Sequence, residues 1–492
     1  MLSVTLFFLY LRTNKKFFDM NNNIVGRIQE CNILKSCYES DKAELVAVYG
    51  RRRIGKTFLV KNYFKDKFDF YITGIYQGSK KEQLGFFNRQ LCEYSKMLYP
   101  KVDDWFDAFE QLKHYISTLK KEKIVVFIDE FPWLDSPKSR FLKSFELFWN
   151  SWASDRPQIK LIVCGSATTW MMSHLLGDKG GLHNRVTRRI KLAPFTLGET
   201  ELFLKKQGIV WNRYQIAEAY MTLGGTPYYL QMLQKQYSLA QNIDHLFFSE
   251  NAELRDEYTF LFRSLFNDSA IYRNVVELLS KKAKGMTRAE MMSCLKLSDG
   301  GNFTNVLENL CNCDFIRRYS AFGKKERDVL YQLTDLYTLF YLKFVKDNNG
   351  RDEHFWTNMI DSSERRAWCG YSFEQLCLHH IPQIKNKLGI SGIQSDICSW
   401  STQATDEHRG GQIDLIIDRK DQIINLCEMK FSVSEFEISK KYDEEMRERR
   451  ELFRNISKTR KALHLTMITT YGLKQNTYSG MIQNEVVLDD MF

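Results

Sequence analysis

Proline and closely spaced cysteine pairs are scarce in this sequence. Its 492 residues include 7 prolines, and its 11 cysteines form an odd set without a CxxC spacing. This pattern argues against a zinc site or a secreted disulfide framework and favours a reducing, cytoplasmic location. No run reaches the roughly 18 uncharged apolar residues that a membrane-spanning helix needs. We therefore expect no stable membrane association.

The composition is otherwise typical of a globular protein. Hydrophobic residues make up 44% of the chain and charged residues 26%, which excludes a disordered, collagenous or coiled-coil protein. At about 150 residues per domain, the length predicts roughly three domains. The formal net charge of +10 permits a nucleic-acid or phosphate partner but does not require one.

The first residues have an interpretation of their own. Residues 2–11 form an apolar run that is too short to span a bilayer and has neither a charged leader nor a small-residue cleavage site. Met20 lies just before the globular pattern begins. We interpret residues 1–19 as a non-native extension from an early gene start. A weak membrane anchor and an extra ordered strand or helix are the alternatives.

Residues 20–235 alternate short apolar runs with helical patterns. Such alternation predicts an α/β domain built from strand–helix units on a parallel sheet. Three unbroken apolar runs, at 45–49, 124–128 and 161–164, are expected to be strands covered on both faces. This segment is predicted as the first domain.

Residues 236–345 are mostly helical and end in a hairpin pattern. Segments 316–319 and 329–333 are expected to pair as strands around a basic turn at 323–325. Helices followed by a basic-tipped hairpin predict a winged helix, with a helical lid and a chance hairpin as the alternative. After a turn-forming Asp-Asn-Asn-Gly run at 347–350, residues 351–492 return to a mixed α/β pattern, and residues 346–492 are predicted as the third domain.

A glycine-rich segment after the first predicted strand has the pattern GxxxxGK[ST]. It opens an apolar helix, which is the context that a phosphate-binding loop requires. Backbone N–H groups of such a loop surround phosphates at a helix N-terminus, where the helix dipole favours anions. Lys56 is expected to reach the β- and γ-phosphates and Thr57 to hold Mg²⁺, so ATP and Mg²⁺ are the predicted ligands. The segment consists of Gly50, Arg51, Arg52, Arg53, Ile54, Gly55, Lys56 and Thr57.

Two acidic residues end the second predicted strand in the arrangement of a Walker B element. Asp129 is expected to bind the Mg²⁺, directly or through water, and Glu130 to polarise the attacking water as a general base. Capping of the strand end is the alternative. Ser166, which closes the third predicted strand, is expected to contact the γ-phosphate or the water, with a hydroxyl-stabilised turn as its alternative.

Six segments, in this order, resemble the AAA+/STAND-type ATPase family, which is abundant in archaea and also found in bacteria. The resemblance covers about residues 20–235. It implies that Pro227 packs near the nucleotide base. It also implies that Arg185, in the basic cluster 184–189, senses or stabilises the γ-phosphate, in its own chain or on a neighbouring subunit of a homo-oligomer. A solvated strand edge is the alternative interpretation of this cluster. The six segments are 24–27, 50–57, 129–130, 165–166, 192–195 and 224–228.

A second group of acidic residues lies in the third predicted domain. Asp414 starts one strand pattern, and Glu428 and Lys430 end the next one with their side chains on the same face. This arrangement resembles the PD-(D/E)xK nuclease core. The resemblance implies a restriction-endonuclease-like α/β domain in which the carboxylates hold Mg²⁺ or Mn²⁺ and Lys430 is catalytic. Glu374, on an upstream helix, matches a further metal ligand. A degenerate fold that only binds and a salt-bridged surface hairpin are the alternatives.

Together these patterns favour an ATP-dependent protein that acts on DNA. Its ATPase module would control a winged helix and a metal-dependent nuclease-like domain. The basic residues of the hairpin are the candidates for the DNA backbone, whereas residues 431–461, with nine Lys or Arg and seven Asp or Glu, predict a solvated helical face. Two further hypotheses are a regulatory ATPase that binds partners or nucleic acid without cleavage and a membrane-linked ATPase that uses residues 2–11. The basic residues of the hairpin are Arg317, Arg318, Lys324, Lys325 and Arg327.

Overall fold

The structure is a computed structural model of the chain. It describes residues 23–177, 182, 184–266, 268–297, 301–323, 329–348, 352–405 and 409–492. The predictions for the first 19 residues and for Lys324, Lys325 and Arg327 lie outside the described residues. The chain divides into two compact units, the first ending at Ala193 and the second beginning at Pro194. In the described part of the chain, no helix is long and apolar enough to cross a membrane.

The first unit is built on a parallel sheet. Its strands in the described residues are β1 (Glu44–Tyr49), β2 (Phe70–Thr73), β3 (Ile124–Asp129), β4 (Ile159–Gly165) and β5 (Arg188–Lys191). They pair in the order β2-β3-β4-β1-β5, and every pairing is parallel. The prediction of a parallel sheet is confirmed, with the three apolar runs in β1, β3 and β4. Since parallel strands end at a common edge, the segments that follow these strands can form one site.

Both faces of this sheet are covered. Leu45 and Ala47 pack in one buried cluster and Val46 and Val48 in another, because successive residues of a strand point to opposite faces. Helical side chains complete both clusters, as the unbroken apolar runs predict. The helices of this unit are Ile28–Glu39, Lys56–Phe64, Lys80–Ser95, Trp105–Thr118, Phe131–Leu134, Phe141–Ser151 and Thr168–Trp170, with a 3₁₀ turn at Ala153–Asp155 and a π-helical turn at Met171–Leu175.

The second unit has a mixed sheet. Its strands in the described residues are β6 (Met286–Thr287), β7 (Ile316–Ala321), β8 (Leu330–Leu333), β9 (Ser395–Thr402), β10 (Gly411–Arg419), β11 (Ile423–Lys430), β12 (Ala462–Thr469) and β13 (Asn484–Val487). They pair in the order β13-β12-β11-β10-β9-β7-β8-β6. The predicted hairpin is present as the antiparallel pair β7 and β8. It is not a free-standing wing, because β7 also pairs with β9 at Ser320 and Cys398.

A long helix of the second unit packs against β11. This helix, Ser363–His379, begins seven residues before the predicted start at Gly370 because Ser362 caps it: the Ser362 hydroxyl oxygen accepts the backbone N–H of Arg365 at 3.1 Å. The other helices are Leu197–Lys206, Arg213–Leu223, Pro227–Leu230, Leu239–Phe247, Glu257–Leu265, Ser269–Ser280, Arg288–Leu295, Gly301–Asn312, Leu336–Phe340, Phe355–Asn358, Ile381–Lys387 and Lys440–Ser457, with a π-helical turn at Tyr341–Val345 and 3₁₀ turns at Ser479–Met481 and Leu488–Met491.

Candidate functional site

The segment after β1 is a tight loop that requires glycine at its first position. Gly50 has a φ of 142°, and a Cβ atom added there would lie 2.3 Å from the carbonyl oxygen of Leu192. Gly55 has a φ of 85° and is the N-cap of the helix Lys56–Phe64. A glycine loop that leads into a helix N-terminus offers backbone N–H donors to an anion. The local geometry is therefore that of a phosphate-binding loop.

The side chain of Lys56 lies across this loop. Lys56 is buried, and its Nζ donates a hydrogen bond to the carbonyl oxygen of Arg51 at 2.8 Å. Arg51 and Ile54 are also buried, while Arg52 packs over a tryptophan ring at 6.0 Å. Arg53 has a left-handed φ of 75°. The lysine is thus held within the loop that is expected to surround the phosphates.

Thr57 and Asp129 form a direct contact between the helix after β1 and the end of β3. The Thr57 hydroxyl donates a hydrogen bond to Asp129 Oδ2 at 2.8 Å. Burial and, to a lesser extent, the charge of Glu130 raise the pKa of Asp129, while the hydrogen bond from Thr57 opposes this shift. Hydroxyl and carboxylate oxygens are the ligands that Mg²⁺ prefers. The pair therefore fits Mg²⁺, as the sequence predicts.

Glu130 and Ser166 lie next to this pair. Glu130 has a left-handed φ of 43°, a conformation that costs a residue other than glycine about 1–3 kcal/mol. Its Oε2 accepts two hydrogen bonds from Ser166, one from the hydroxyl at 2.8 Å and one from the backbone N–H at 3.1 Å. The structure thus gathers the residues after β1, β3 and β4 at one edge of the sheet.

Arg185 and Pro227 are the two remaining residues expected at the nucleotide. Arg185 is exposed in the turn before β5, and its backbone N–H donates to the carbonyl oxygen of Leu182 at 3.0 Å. Pro227 is the first residue of the short helix Pro227–Leu230 and belongs to the second unit. Their expected contacts with the nucleotide stay predictions.

In the second unit, β10 carries a β-bulge at Asp414. Its pairing with β9 shifts by one residue between Ile413 and Ile416, so that Asp414 and Leu415 together face a single residue of β9. Such bulges re-aim a side chain and are common beside active sites. The antiparallel register between β10 and β11 brings Asp414 beside Glu428. The predicted pairing of these two strands is therefore present.

Glu428 is held by three side chains. Its carboxylate accepts hydrogen bonds from the Tyr442 hydroxyl at 2.7 Å and from Arg449 at 2.6 Å, and Lys430 Nζ lies 2.9 Å from it. Burial alone would raise the pKa of Glu428, but Lys430 and Arg449 bring its pKa below the usual value. Sequence reasoning missed Tyr442 and Arg449, which were assigned to a solvated helical face. Their spacing of two helical turns places both on one side of the helix Lys440–Ser457.

Glu374 and Asp414 line one cavity of the second unit. Burial, and then the charge of Asp414, raises the pKa of Glu374 to about 8. Burial also raises the pKa of Asp414, against the hydrogen bond that its Oδ1 accepts from Gln412. Across the described ranges, no three His, Cys, Asp or Glu side chains are gathered closely enough to hold a metal ion. The Glu428 carboxylate is instead occupied by Tyr442 and Arg449, and the predicted metal ligation by Glu374, Asp414 and Glu428 stays a prediction.

The orientation of Arg317 also differs from the expectation. It was predicted on an exposed wing, but it lines the same cavity as Glu374 and Asp414. Arg318, the next residue, is exposed as expected. Because successive side chains of a strand point to opposite faces, only one of two consecutive arginines can face outward. This alternation is the feature of the sequence that predicts one inward-facing arginine in β7.

The parallel sheet, the glycine loop and the Thr57–Asp129 contact are together typical of a P-loop ATPase. Residues 24–233, less than half of the chain, match the sequence profile of a family described as an ATPase domain predominantly from Archaea. The predicted resemblance to an archaeal and bacterial ATPase family is confirmed to that extent. The predicted nuclease-like domain lies outside the matched residues.

Relatives of the chain occur in archaea. An uncharacterized protein of Methanocaldococcus jannaschii is 26% identical over 400 residues, which cover 80% of this chain and 83% of that protein. An uncharacterized ATP-binding protein of the same organism is 42% identical over 43 residues, which cover 9% of this chain and 73% of that protein. Among solved structures, a Walker-type ATPase of Pyrococcus abyssi is similar with a TM-score of 0.47 and 15% identity, covering 66% of this chain and 97% of that one.

Proposed function

We propose that the chain is a cytoplasmic, ATP-hydrolysing protein that acts on DNA. In this proposal residues 20–235 hydrolyse ATP, residues 236–345 form a helical and winged-helix segment, and residues 346–492 form a nuclease-like domain. The match of residues 24–233 to the profile of an archaeal ATPase domain supports the first part. The strongest support for ATP hydrolysis is the hydrogen bond between Thr57 and Asp129, because it joins the two predicted magnesium ligands at 2.8 Å.

Lys56, Thr57, Asp129 and Glu130 have separate roles in the proposed hydrolysis. Lys56 neutralises the β- and γ-phosphates of ATP, and Thr57 and Asp129 hold Mg²⁺. The bound Mg²⁺ supplies charge neutralisation on the phosphate oxygens. Glu130 accepts the proton of the attacking water while the water oxygen bonds to the γ-phosphorus. The bond between that phosphorus and the ADP oxygen then breaks, and ADP and phosphate leave.

Ser166, Arg185 and Pro227 complete the proposed nucleotide site. Ser166 holds the Glu130 carboxylate through two hydrogen bonds, so it can couple the γ-phosphate to the position of the general base. Arg185 is exposed, and an exposed arginine can reach a γ-phosphate in its own chain or in a neighbouring copy. Pro227 contacts the base. If Arg185 acts on a neighbouring copy, the active form of the protein is a homo-oligomer.

The DNA-directed part of the proposal rests on the second unit. Glu374 and Asp414 are half-buried carboxylates at one cavity, a setting that a divalent cation would stabilise. Mg²⁺ or Mn²⁺ held there, with Glu428 as a third ligand, would activate the water that attacks a DNA phosphate. Lys430, which lies 2.9 Å from Glu428, would act on that water or on the developing charge.

One observation favours a second candidate function. The Glu428 carboxylate is already held by Tyr442, Arg449 and Lys430, so a metal would have to compete with these three partners. A site that keeps those contacts can bind nucleic acid or protein without cutting. The chain would then be a regulatory ATPase whose C-terminal part is a binding domain.

Nicking of supercoiled plasmid separates the two functions. The full-length chain is incubated with plasmid and Mg²⁺ or Mn²⁺, with and without ATP. We expect Asp414→Ala to lose nicking and keep ATP hydrolysis, and Lys56→Ala to lose ATP hydrolysis. Asp396→Ala, whose exposed partner Lys420 lies 3.1 Å away, is the matched control and should behave as the parent. A parent protein that binds DNA but never nicks it would support the regulatory function instead.

A further inference from the structure

The backbone of Glu130 lies directly against the loop that follows β2. β2 ends at Thr73 beside Asp129, and the next backbone N–H, that of Gly74, donates a hydrogen bond to the carbonyl oxygen of Asp129 at 2.9 Å. A Cβ atom added at Gly74 would lie 2.6 Å from the carbonyl oxygen of Glu130. Glycine is therefore required at this position by the close approach of the two chain segments.

A buried glutamine joins this loop to the turn that follows β3. Gln83, in the helix Lys80–Ser95, is 0% exposed. Its Oε1 accepts the backbone N–H of Ile75 at 3.0 Å, and its Nε2 donates to the carbonyl oxygens of Ile75 at 2.7 Å and of Trp133 at 2.9 Å. Both amide hydrogens are used in these contacts, so the side chain holds the two segments together.

The turn held by Gln83 contains Glu130. The carbonyl oxygen of Trp133 accepts from Gln83, while its backbone N–H donates to the carbonyl oxygen of Glu130 at 2.9 Å. Glu130 has a φ of 43° and a ψ of 46°, a left-handed conformation that is unfavourable for a residue other than glycine. Such a conformation persists where the surrounding contacts enforce it. Gln83 holds the end of the turn, and Gly74 leaves the space that the Glu130 carbonyl needs.

Packing alone would favour an apolar residue at position 83. The other buried residues of this helix are Leu84, Phe87 and Leu91, so Gln83 lies on the side of the helix that faces the core. An amide buried there is unfavourable unless its hydrogen bonds are made. The three hydrogen bonds to the two loops therefore account for a glutamine at this position, and they tie together the two segments that enclose Glu130.

We propose that Gln83 is a positioning residue for ATP hydrolysis, which keeps Glu130 in its left-handed conformation by tying the turn after β3 to the loop after β2. The direction of a side chain depends on its backbone conformation, so this conformation aims the Glu130 carboxylate at Ser166. The inference rests on the proposed ATP hydrolysis and adds to it a residue that acts through the backbone of the general base. The phosphate-binding loop and the expected magnesium ligands are separate from Gln83, so its loss should lower the rate constant and leave the affinity for ATP unchanged.

The test measures rate and binding separately in the full-length chain. Phosphate release is followed at several ATP concentrations, and binding of the non-hydrolysable analogue AMP-PNP is measured by calorimetry in Mg²⁺. Gln83→Met removes the hydrogen bonds with little change in side-chain length. Gln90→Met is the matched control in the same helix, because Gln90 bonds to the side chain of Glu93 at 3.2 Å. Gln83→Met is also made in a chain that carries Glu130→Gln, Gly74→Ala is a second variant, and thermal unfolding reports on the stability of each protein.

The proposal predicts a lower rate constant without weaker nucleotide binding. Gln83→Met and Gly74→Ala should lower the rate constant about 10- to 100-fold, since misplacing a reacting group by about 1 Å can cost a factor of about 100. Their affinity for AMP-PNP should stay within about threefold of that of Gln90→Met. In the chain that carries Glu130→Gln, Gln83→Met should change the rate constant less than about twofold, because the group that it positions is already absent.

Each contrary result separates the positioning role from the proposed hydrolysis. A rate constant of Gln83→Met equal to that of Gln90→Met overturns the positioning role and leaves ATP hydrolysis in place. An equally large drop in the chain that carries Glu130→Gln shows that the glutamine acts through another group, and it overturns the role as well. If Gln83→Met unfolds and loses AMP-PNP binding, Gly74→Ala decides, and a parent-like rate constant for that variant overturns the inference. A parent chain that does not hydrolyse ATP overturns the inference and the proposed hydrolysis together.

Discussion

Glu130 Oε2 accepts hydrogen bonds from both the hydroxyl and the backbone N–H of Ser166, at 2.8 and 3.1 Å. A residue predicted to sense the γ-phosphate therefore also fixes the predicted general base. Removing the hydroxyl leaves the backbone donor, so the carboxylate keeps one of its two anchors. The serine is accordingly a positioning residue in this account.

Ser166→Ala should lower the rate constant of ATP hydrolysis about 10-fold, because a hydrogen bond to a charged group contributes about 1.5–3 kcal/mol. The Michaelis constant for ATP should change far less, since Lys56 and the glycine loop remain. Steady-state phosphate release at several ATP concentrations separates the two parameters. Ser151→Ala, an exposed serine bonded to the carbonyl oxygen of Leu147, is the control. Equal rate constants for Ser166→Ala and the control would exclude the positioning role.

Two glycine substitutions should move stability in opposite directions. Gly50→Ala should destabilise the first unit, since a Cβ would lie 2.3 Å from a carbonyl oxygen at a φ of 142°. Gly85→Ala should stabilise it by about 1 kcal/mol, because Gly85 lies within the helix Lys80–Ser95 with an ordinary contact of 3.7 Å. Denaturant midpoints measure both changes. An unchanged denaturant midpoint for Gly50→Ala would contradict the tight geometry of the loop.

The glycine loop and Asp129 were accessible from the sequence because each is encoded by neighbouring residues along the chain. Alternation along β7 predicts that one of Arg317 and Arg318 faces inward, but which of them does so depends on the pairing of β7 with β9 across a long sequence separation. The same holds for the contacts of Tyr442 and Arg449 with Glu428. Local patterns predict strands and helices, whereas the choice of which face meets which partner is made by tertiary packing.

His380 should make stability depend on pH. Its Nε2 accepts the backbone N–H of Leu197 at 3.0 Å, and burial lowers the pKa of His380 from 6.5 to about 4. Between these values the unfolded chain binds a proton that the folded chain does not. The free energy of unfolding should therefore fall as pH decreases from about 6.5 to about 4, by up to about 1.4 kcal/mol per pH unit.

Urea unfolding at several pH values measures this dependence. His380→Gln should flatten the curve in that window, while His379→Gln, which changes the exposed neighbour, should leave it as in the parent. The difference between the two variants removes the contribution of other titrating groups. Parallel curves for all three proteins would mean that His380 is protonated in the folded chain as readily as in the unfolded one.

Metal binding at the C-terminal site should appear as stabilisation. Without ATP, Mg²⁺ or Mn²⁺ at about 100 times its dissociation constant should stabilise the folded chain by about 2.7 kcal/mol. Asp414→Ala should abolish this gain because it removes a ligand, whereas Lys430→Ala should retain it and lose only nicking. Thermal unfolding with and without metal is the measurement, with Asp396→Ala as the control. Metal stabilisation that survives Asp414→Ala would locate the cation elsewhere.

The central claim is that ATP is hydrolysed at the site where Thr57 meets Asp129. Its most direct test is the rate of phosphate release, measured together with nucleotide binding, for the parent, Lys56→Ala and Glu130→Gln. We expect Lys56→Ala to lose ATP binding and Glu130→Gln to bind ATP as the parent does but to hydrolyse it about 100-fold or more slowly, because only the proton acceptor is lost. Equal hydrolysis by Glu130→Gln and the parent would contradict the assignment of the general base, and undiminished binding and hydrolysis by Lys56→Ala would contradict the site itself.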